Sequence, residues 1–493
     1  MTELDSPTRS ARAESIGSGR RERRAYLVLS LECQRPLAGS LRIALDAVDS
    51  VTVGRGAGRS TARQPDDHGE HLMLTVPDEW MSSTHARLRC SFGRWLIEDA
   101  GSKNGIRVNG RRVQSHVLED RDVAELGRTF FVYRDRTTPD LQGDDNDDGD
   151  GSDDRDDKPG NREAVDVAEP PPAPGLSTFD IELAGDVGNL VRVAQTGIAV
   201  LLLGESGTGK ELLARAVHEL SGRPGEFVPV NCGALPENLV ESELFGHRAG
   251  AFSGATTERP GLVRAAHRGT LFLDEIGDLR PPSQAALLRV LQTGEVRPVG
   301  DVKTVKVDIR MVCATHRDLA RAVERGEFRH DLYARIAGFR MNLPTVHERI
   351  EDRGLLVTNL LTELAAAGDA VAAPAATFDP RAARALFFYH WPLNVRELSN
   401  CLRTATVLAG DGVIRPMHLP PEVRTAAVPS ETTSDAGADP LTDEQSQLRD
   451  QLVALLAEHR GNISHVARAA GKARRQIQRW IKRFDLDPEQ FRS

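Results

Sequence analysis

The chain has 493 residues, of which 27% are charged and 40% hydrophobic, a composition typical of folded globular domains. The length alone predicts about three domains of roughly 150 residues. The longest aliphatic run, residues 198–203, is too short to cross a bilayer, and the amino terminus lacks the apolar stretch of a secretory signal. The five cysteines form no CxxC pair, which argues against a disulfide framework or a zinc knuckle. We therefore expect a cytoplasmic protein without a membrane partner.

The net charge of −9 is unevenly distributed. Residues 140–169 contain 13 acidic and three basic residues, so this segment accounts for the whole negative balance. Residues 460–483 contain eight Arg or Lys and no Asp or Glu. A basic segment in an otherwise balanced chain indicates a polyanionic partner.

Changes in composition and pattern divide the chain into six segments. Short apolar runs separated by turns, at residues 26–31, 41–45, 50–53, 87–90, 95–98 and 130–133, predict a β-sandwich. Strands that alternate with helices predict an α/β domain further along. The predicted order is a disordered tail (1–24), the sandwich (25–134), an acidic and proline-rich linker (135–177), the α/β domain (178–424), a second linker (425–440) and a helical domain (441–485).

A glycine-rich loop follows the apolar run at 198–203 and precedes a helix-compatible segment. Strand, glycine loop, lysine and helix form the context that a phosphate-binding P-loop requires, because backbone N–H groups and the lysine then surround the phosphates. Glu211 stands where Ser or Thr would place a hydroxyl group on Mg²⁺. The predicted nucleotide-binding residues of this loop are Gly204, Glu205, Ser206, Gly207, Thr208, Gly209, Lys210 and Glu211.

A second apolar strand, residues 269–273, ends in two acids. This is a Walker B arrangement, in which Asp274 is predicted to bind Mg²⁺ and Glu275 to polarise the attacking water.

These motifs resemble the AAA+ domain of bacterial enhancer-binding proteins, the ATP-driven activators of sigma-54 RNA polymerase. The resemblance spans residues 178–424 and is carried by GESGTGKE at 204–211, Asn231-Cys232, ESELFGH at 241–247 and GAFSGA at 250–255. It implies an α/β ATPase with a helical lid, ATP and Mg²⁺ as cofactors, a hexameric ring, and sigma-54 holoenzyme as partner.

The resemblance also implies roles for individual residues. Asn231 matches the switch that holds Glu275, His316 matches sensor I, and Arg396 matches sensor II. Arg329 and Arg335 match arginine fingers donated to a neighbouring subunit's ATP. The loop that contacts sigma-54 corresponds to Gly250, Ala251, Phe252, Ser253, Gly254 and Ala255.

Three positions depart from the family pattern: Ser253 replaces Thr, His316 replaces Asn and Leu393 replaces Gly. If the Gly position requires a positive φ, Leu393 carries about 1–3 kcal/mol of strain. These departures leave open an alternative function, a diverged DNA-binding regulator in which nucleotide only gates assembly.

The predicted sandwich resembles a forkhead-associated (FHA) domain, which binds phosphothreonine on protein partners. The motifs are Gly54-Arg55, SSTH at 82–85, Asn104-Gly105 and VNG at 108–110. The resemblance implies that Arg55, Ser82 and Asn104 bind the phosphopeptide and that His85 orders the loops. A phosphothreonine-containing protein or a Ser/Thr kinase is the implied partner, and a phosphopeptide adaptor is a further alternative function.

The basic carboxyl-terminal segment predicts an all-α helix-turn-helix domain. In its last helix, Ala473, Ile477, Trp480, Ile481 and Phe484 share one face. This segment resembles the Fis-like domain of the same activators and implies binding to double-stranded DNA upstream of promoters. The predicted DNA-binding residues lie on the opposite face: Arg474, Arg475, Gln478, Arg479 and Lys482.

Overall fold

A computed structural model describes residues 22–46, 48–66, 69–138, 165–166, 176–236, 239–251, 255–367 and 376–426, together with residues 459, 465, 466 and 469. The chain divides into two compact units, Met1–Val428 and Pro429–Ser493. Apart from those four residues, the predicted helix-turn-helix lies outside the described residues, and so do its five predicted DNA-binding residues and most of the acidic linker.

The amino-terminal part of the first unit is a β-sandwich. One sheet has the strand order β13-β2-β1-β12-β11-β8-β9 and the other β10-β7-β6-β3-β5-β4. Each of the six predicted strand segments overlaps an observed strand. The strands are β1 Glu22–Glu32, β2 Leu41–Ala44, β3 Ser50–Arg55, β4 Ser60–Asp66, β5 Gly69–Val76, β6 Ala86–Ser91, β7 Arg94–Asp99, β8 Ile106–Val108, β9 Arg111–Val113, β10 Ser115–Val117, β11 Val123–Leu126, β12 Thr129–Thr138 and β13 Val165–Asp166.

Strand β1 is buried on both faces. Leu27 and Leu29 belong to the core between the two sheets. Tyr26 and Val28 belong to a second core on the other side of the same sheet. Successive side chains of a strand point to opposite faces, so burial on both sides requires the continuous apolar run seen in this part of the sequence.

The central part of the first unit is an α/β domain built on a parallel sheet of five strands, in the order β15-β16-β19-β14-β20. The carboxyl ends of these strands lie at one edge, where loops collect the polar residues. The elements are α1 Ile181–Ala194, β14 Val200–Leu203, α2 Lys210–Leu220, β15 Phe227–Asn231, α3 Val240–Phe245, α4 Leu262–Ala265, β16 Thr270–Asp274, α5 Pro281–Thr293, β17 Glu295–Val296, β18 Val305–Lys306, β19 Arg310–Thr315, α6 Leu319–Glu324, α7 His330–Ile336 and β20 Phe339–Asn342.

A helical lid follows the sheet and packs against the sandwich. Its elements are α8 Arg353–Ala367, β21 Thr377–Phe378, α9 Pro380–Phe388, α10 Asn394–Leu408, β22 Val413–Ile414 and α11 Pro421–Thr425. The outer face of β1, β11 and β12 shares a hydrophobic core with the lid helices, in which the rings of Phe130 and Phe387 stack at 5.0 Å. The Phe378 amide also donates to the Cys33 carbonyl at 2.7 Å. The sandwich and the lid are therefore in direct contact in this structure.

Buried polar contacts are also formed across this interface. Arg134 of β12 forms an ion pair with Glu351, and both side chains are almost completely buried. The Tyr26 hydroxyl donates to the other Glu351 carboxylate oxygen at 3.4 Å. Burial raises the pKa of Glu351 to about 7, and the Arg134 guanidinium opposes that rise. The interface thus combines apolar packing with an ion pair removed from water.

None of the helices in the described part of the chain combines the length and the apolar character that a bilayer span requires.

Candidate functional site

The P-loop connects the end of β14 to the start of α2. Gly204, Gly207 and Gly209 have φ angles of +145°, +78° and +107°, conformations that favour glycine. Lys210 is 6% exposed, and its Nζ donates to the Gly204 and Glu205 carbonyls at 2.8 and 2.9 Å. The loop therefore folds around the lysine ammonium.

Two carboxylates act on this lysine from the end of β16. Burial lowers the pKa of Lys210, whereas the charges of Glu275 and Asp274 raise it. Burial raises the pKa of Asp274, and the neighbouring Glu275 charge adds to that rise. Glu211 is exposed and pairs with Arg215 at 2.9 Å on the outer face of α2. The structure thus brings Lys210, Asp274 and Glu275 together.

The Glu275 carboxylate is held by residues at the end of β19. Its Oε2 accepts hydrogen bonds from the His316 Nδ1 at 2.7 Å, the His316 amide at 3.3 Å and the Thr315 hydroxyl at 3.4 Å. Asn231 lies at the end of β15, opposite Asp274 in the sheet register. Its Oδ1 accepts from the Ala234 amide at 3.0 Å. Among the described residues, His316 and Thr315 contact Glu275 through hydrogen bonds, and Asn231 does not.

Residues of the lid close over the P-loop. Asn394 is fully buried, and its Nδ2 donates to Glu205 Oε2 and to the Ser206 carbonyl, each at 3.1 Å. Arg396 Nη1 donates to the Ser206 hydroxyl at 3.3 Å. Arg349 Nη2 donates to the Thr208 carbonyl at 3.2 Å. Arg396 is the predicted sensor II residue, whereas the contacts of Asn394 and Arg349 could not be predicted, because no local motif connects these residues to the P-loop.

Leu393 carries no left-handed strain. Its φ and ψ are −103° and 18°. The positive φ angles nearby belong to Trp391 and Asn394, both at 55°. The premise that position 393 requires a positive φ is therefore wrong, and so is the strain expected from it. Leu393 instead approaches the P-loop through its backbone: a Cβ added at Gly207 would lie 2.2 Å from the Leu393 carbonyl oxygen.

The two predicted arginine fingers lie at opposite ends of the short helix α7, and both are exposed. Arg329 precedes the helix, and its Nη2 is 2.7 Å from a carboxylate oxygen of Asp331. Arg335 is in the last turn, and its Nη2 donates to the Leu291 carbonyl at 3.2 Å. Neither side chain is buried in this chain, so both are accessible to another molecule.

The predicted sigma-54 loop is described only at its base. The Gly250 amide donates to the Ala255 carbonyl at 2.8 Å, which brings the two ends of the loop together. Ala251 lies beside Gly300. Phe252, Ser253 and Gly254 lie outside the described residues.

The predicted phosphothreonine site lies at one end of the sandwich. The amide of exposed Arg55 donates to the Ser82 carbonyl at 2.9 Å. The Ser82 hydroxyl accepts from the Lys103 amide at 3.1 Å. Asn104 Nδ2 donates to the Trp80 carbonyl at 2.7 Å. Arg55, at the end of β3, and the loops that carry Ser82 and Asn104 are therefore adjacent and connected by hydrogen bonds.

His85 connects these loops from the interior. It is fully buried, its Nδ1 accepts from the Ser82 amide at 3.0 Å, and its Nε2 is 3.2 Å from the Gly105 carbonyl. Burial lowers the pKa of His85. The histidine is thus a neutral hydrogen-bonding link, with Nδ1 as acceptor and Nε2 as donor.

The acids at the end of β16 fit a magnesium ion that is bound together with a nucleotide. Within the described residues, no group of three or more His, Cys, Asp or Glu side chains could hold a metal ion by itself. Mg²⁺ commonly uses one or two carboxylates, several waters and the phosphates of its nucleotide. Asp274, beside the P-loop lysine, supplies such a carboxylate.

Comparison with protein families gives three matches along the chain. Residues 51–127 match the FHA domain, residues 181–342 the sigma-54 interaction domain, and residues 347–436 the AAA+ ATPase lid domain.

Curated relatives match the same central region. The transcriptional regulatory protein GlrR of Escherichia coli is 41% identical over 303 residues, which are 61% of this chain and 66% of GlrR. The Nif-specific regulatory protein of Azorhizobium caulinodans is 48% identical over 266 residues, 52% of this chain and 42% of that protein. The chain therefore spans slightly less than two thirds of one relative and less than half of the other.

A solved structure, NtrX of Brucella abortus in complex with ADP, is 30% identical with a TM-score of 0.47. The match covers 63% of this chain and 70% of NtrX. From the three family matches, the chain carries an FHA domain followed by a sigma-54 interaction domain and its AAA+ lid.

Proposed function

We propose that this protein is an ATP-dependent transcriptional activator that binds upstream DNA and remodels sigma-54 RNA polymerase as a ring oligomer. Its FHA domain regulates it by recognising phosphothreonine on a partner protein or Ser/Thr kinase. The main support for the ATPase step is the P-loop folded around Lys210, with the carboxylates of Asp274 and Glu275 near enough to raise the pKa of that lysine. The similarity to transcriptional regulators supports a role for that ATPase step in the regulation of transcription.

ATP hydrolysis follows from the arrangement of these residues. The P-loop amides and Lys210 bind the phosphates, so Lys210 exchanges its contacts with the Gly204 and Glu205 carbonyls for phosphate oxygens. Asp274 would hold Mg²⁺, which would supply positive charge next to the phosphate oxygens. Glu275 accepts a proton from water as the water oxygen attacks the γ-phosphorus and the bond to ADP breaks.

Arginines from a neighbouring subunit complete the proposed site. Arg329 and Arg335 are exposed on this chain. Such residues stabilise the charge of the transition state and increase related phosphoryl-transfer rates by about 10³–10⁵. A ring provides the required neighbour.

The proposed phosphothreonine site uses charge and hydrogen bonding together. Arg55 forms a fork of N–H donors that suits a phosphate dianion. The Ser82 oxygen accepts from the Lys103 amide, which leaves the Ser82 hydroxyl hydrogen to donate to that phosphate. Asn104 binds the peptide backbone next to the phosphorylated residue.

The proposed function is tested by open-complex formation. Full-length protein with ATP is mixed with sigma-54 holoenzyme and a promoter that carries its upstream site, with and without a phosphothreonine peptide. We expect open complexes with the natural chain and none with Lys210→Ala. DNA binding and ATP turnover without open complexes, in both peptide conditions, would refute sigma-54 activation.

ATP turnover separates this proposal from the diverged regulator. An activator loses turnover in Glu275→Gln, because the general base is removed. A regulator that uses nucleotide only to gate assembly binds ATP without turnover, and Glu275→Gln leaves its DNA binding unchanged.

A further inference from the structure

We propose that His347 and His390 form a binding site for a divalent transition-metal ion such as Zn²⁺, with their two Nδ1 atoms as the protein ligands. His390 belongs to the lid, between α9 and α10, and His347 to the segment between β20 and α8 that leads into it. Imidazole nitrogen is a preferred ligand of zinc, copper and nickel. Two imidazoles leave the other coordination positions of the ion to water. The site is independent of the ATPase activity proposed above.

The separation of the two ring nitrogens suits a shared ion. His347 Nδ1 lies 3.2 Å from His390 Nδ1, and the ring centroids are 4.6 Å apart with an angle of 39° between the ring planes. Around a tetrahedral zinc ion with Zn–N bonds of about 2.0–2.1 Å, two ligand nitrogens are about 3.3–3.4 Å apart. The two Nδ1 atoms therefore already lie within about 0.2 Å of the separation that such an ion requires.

Metal binding changes only the position of one proton in this pair. A neutral imidazole has one nitrogen that donates and one that accepts, so one Nδ1 donates to the other in the observed contact. An ion needs the lone pair of both Nδ1 atoms. The donating ring therefore moves its proton from Nδ1 to Nε2, and two neutral rings bind the ion without net release of protons.

The charged neighbours of His347 favour its neutral form and restrict the kind of ion. Burial lowers the pKa of His347, and the charges of Arg121, Arg353 and His390 lower it further. Glu348 acts in the opposite direction. The neutral imidazole is the form that binds metals. Because the two arginines also repel cations, the site requires an ion that bonds strongly to imidazole, in contrast to Mg²⁺ and Ca²⁺, which prefer oxygen ligands.

Buried contacts fix the main chain beside both histidines. Arg353 is 3% exposed, and its Nε donates to the carbonyl of Val346, immediately before the first histidine, at 3.2 Å. The Nη1 of the same arginine donates to the Phe387 carbonyl, near the end of α9. Trp391, which follows His390, is 1% exposed. Only the side-chain torsions of the two histidines therefore need to adjust to an ion.

An ion at this position would join two segments that also make other tertiary contacts. The His347 carbonyl accepts from Nη2 of Arg121 in the FHA sandwich at 2.6 Å. The preceding amide, of Val346, donates to Asn394 at the start of α10. A ligand that binds the folded chain and not the unfolded chain stabilises the fold. Zinc should therefore raise the unfolding midpoint of the lid.

Zinc binding is tested on full-length, metal-free protein by calorimetric titration with ZnCl₂ and by thermal unfolding with and without ZnCl₂. His347→Gln and His390→Gln each remove one imidazole. His330→Gln removes a single exposed histidine at the start of α7 and is the matched control. We expect Zn²⁺ affinity to fall at least about 10-fold in either site variant, because the second ligand of a pair binds at high effective concentration. Affinity and the zinc-induced rise in midpoint should be unchanged in the control.

A second measurement needs no substitution. Diethyl pyrocarbonate acylates neutral imidazoles, and mass spectrometry locates the modified residues. We expect Zn²⁺ to slow the modification of His347 and His390 several-fold, and EDTA to restore it. The modification rate of His330 should be the same with and without zinc.

The outcomes separate a specific site from general affinity for zinc. Equal Zn²⁺ affinity in the natural chain and both site variants, or equal protection of all three histidines, would show an adventitious ion only and would overturn the proposal. A natural chain that binds no zinc would overturn it as well. Loss of binding in only one of the two site variants would contradict the pairing of the two imidazoles.

Discussion

Arg384 and Glu125 form a two-pronged ion pair between the helical lid and the FHA sandwich. Arg384 Nε and Nη2 each donate to one Glu125 carboxylate oxygen, both at 2.8 Å. The side chains are 7% and 5% exposed. Bidentate geometry is the strongest form of such a pair, and removal of one partner leaves a charge buried in a low-dielectric interior. Removal of either charge alone should therefore weaken the contact between the two domains.

Arg384→Met should destabilise this interface strongly. We expect the free energy required to separate the FHA domain from the lid to fall by about 3–5 kcal/mol, because Glu125 keeps its charge and loses this partner. Denaturant unfolding followed by limited proteolysis at the interface measures the change. The double variant Glu125→Leu with Arg384→Met should recover most of the loss, since neither buried charge remains.

An exposed pair provides the matched control. Arg415 and Asp411 are 2.8 Å apart with side chains 42% and 55% exposed. Arg415→Met should have a much smaller effect on stability, because exposed ion pairs contribute little. Equal effects of Arg384→Met and Arg415→Met would show that the Glu125 pair is not buried in solution.

A methyl group at Gly354 should also separate the two domains. A Cβ at this position would lie 1.7 Å from the Ser30 carbonyl oxygen and 2.3 Å from its carbon, both backbone atoms of β1. Gly354→Ala is therefore expected to expose the interface to protease. Gly185→Ala is the control, because a Cβ there meets nothing within 4 Å in helix α1. The control should stabilise its helix by about 0.5–1 kcal/mol. An interface unaffected by Gly354→Ala would contradict the close approach to Ser30.

The features that the sequence predicts correctly are local, and those it misses are distant in the chain. The P-loop could be predicted because strand, glycines, lysine and helix are consecutive. The apolar run around Tyr26 and Val28 predicts a strand, but not that a lid helix from residue 353 onward covers its second face. The contact of Asn394 with Ser206 joins residues 188 positions apart. No periodicity or spacing in a single sequence encodes such a pairing.

Asn394→Ala should weaken nucleotide binding through the lid. Its side chain bridges the P-loop and the Val346 amide, which donates to Oδ1 at 3.0 Å. Loss of buried hydrogen bonds costs about 1–3 kcal/mol, so we expect ATP affinity to fall by about 5- to 150-fold. Nucleotide titration measures the effect. Asn189→Ala, which removes an exposed acceptor of Arg192, should leave affinity unchanged. An unchanged affinity in Asn394→Ala would mean that the lid does not hold the P-loop.

Protonation of His85 should loosen the loops of the proposed phosphothreonine-binding site at acidic pH. Burial lowers the pKa of His85 in the folded chain, whereas an unfolded histidine titrates near its ordinary value of about 6.5. Below that value the unfolded state takes up more protons than the folded state. The contribution of His85 to stability is therefore fully present above the ordinary histidine pKa and decreases as the pH falls below it. Protonation also removes the Nδ1 lone pair that accepts the Ser82 amide.

His85→Asn isolates this contribution, because an Asn Oδ1 can accept from the Ser82 amide and does not titrate near neutral pH. Burial also lowers the pKa of His218 and His347, so the natural chain and the variant must be compared at each pH. We expect the unfolding midpoint of the FHA domain to fall more in the natural chain than in His85→Asn between about pH 7.5 and about pH 5.5. Phosphothreonine-peptide affinity should follow the same order, because Ser82 is both a partner of His85 and a proposed phosphate ligand. Parallel pH profiles in the two proteins would show that His85 does not couple protonation to the loop structure.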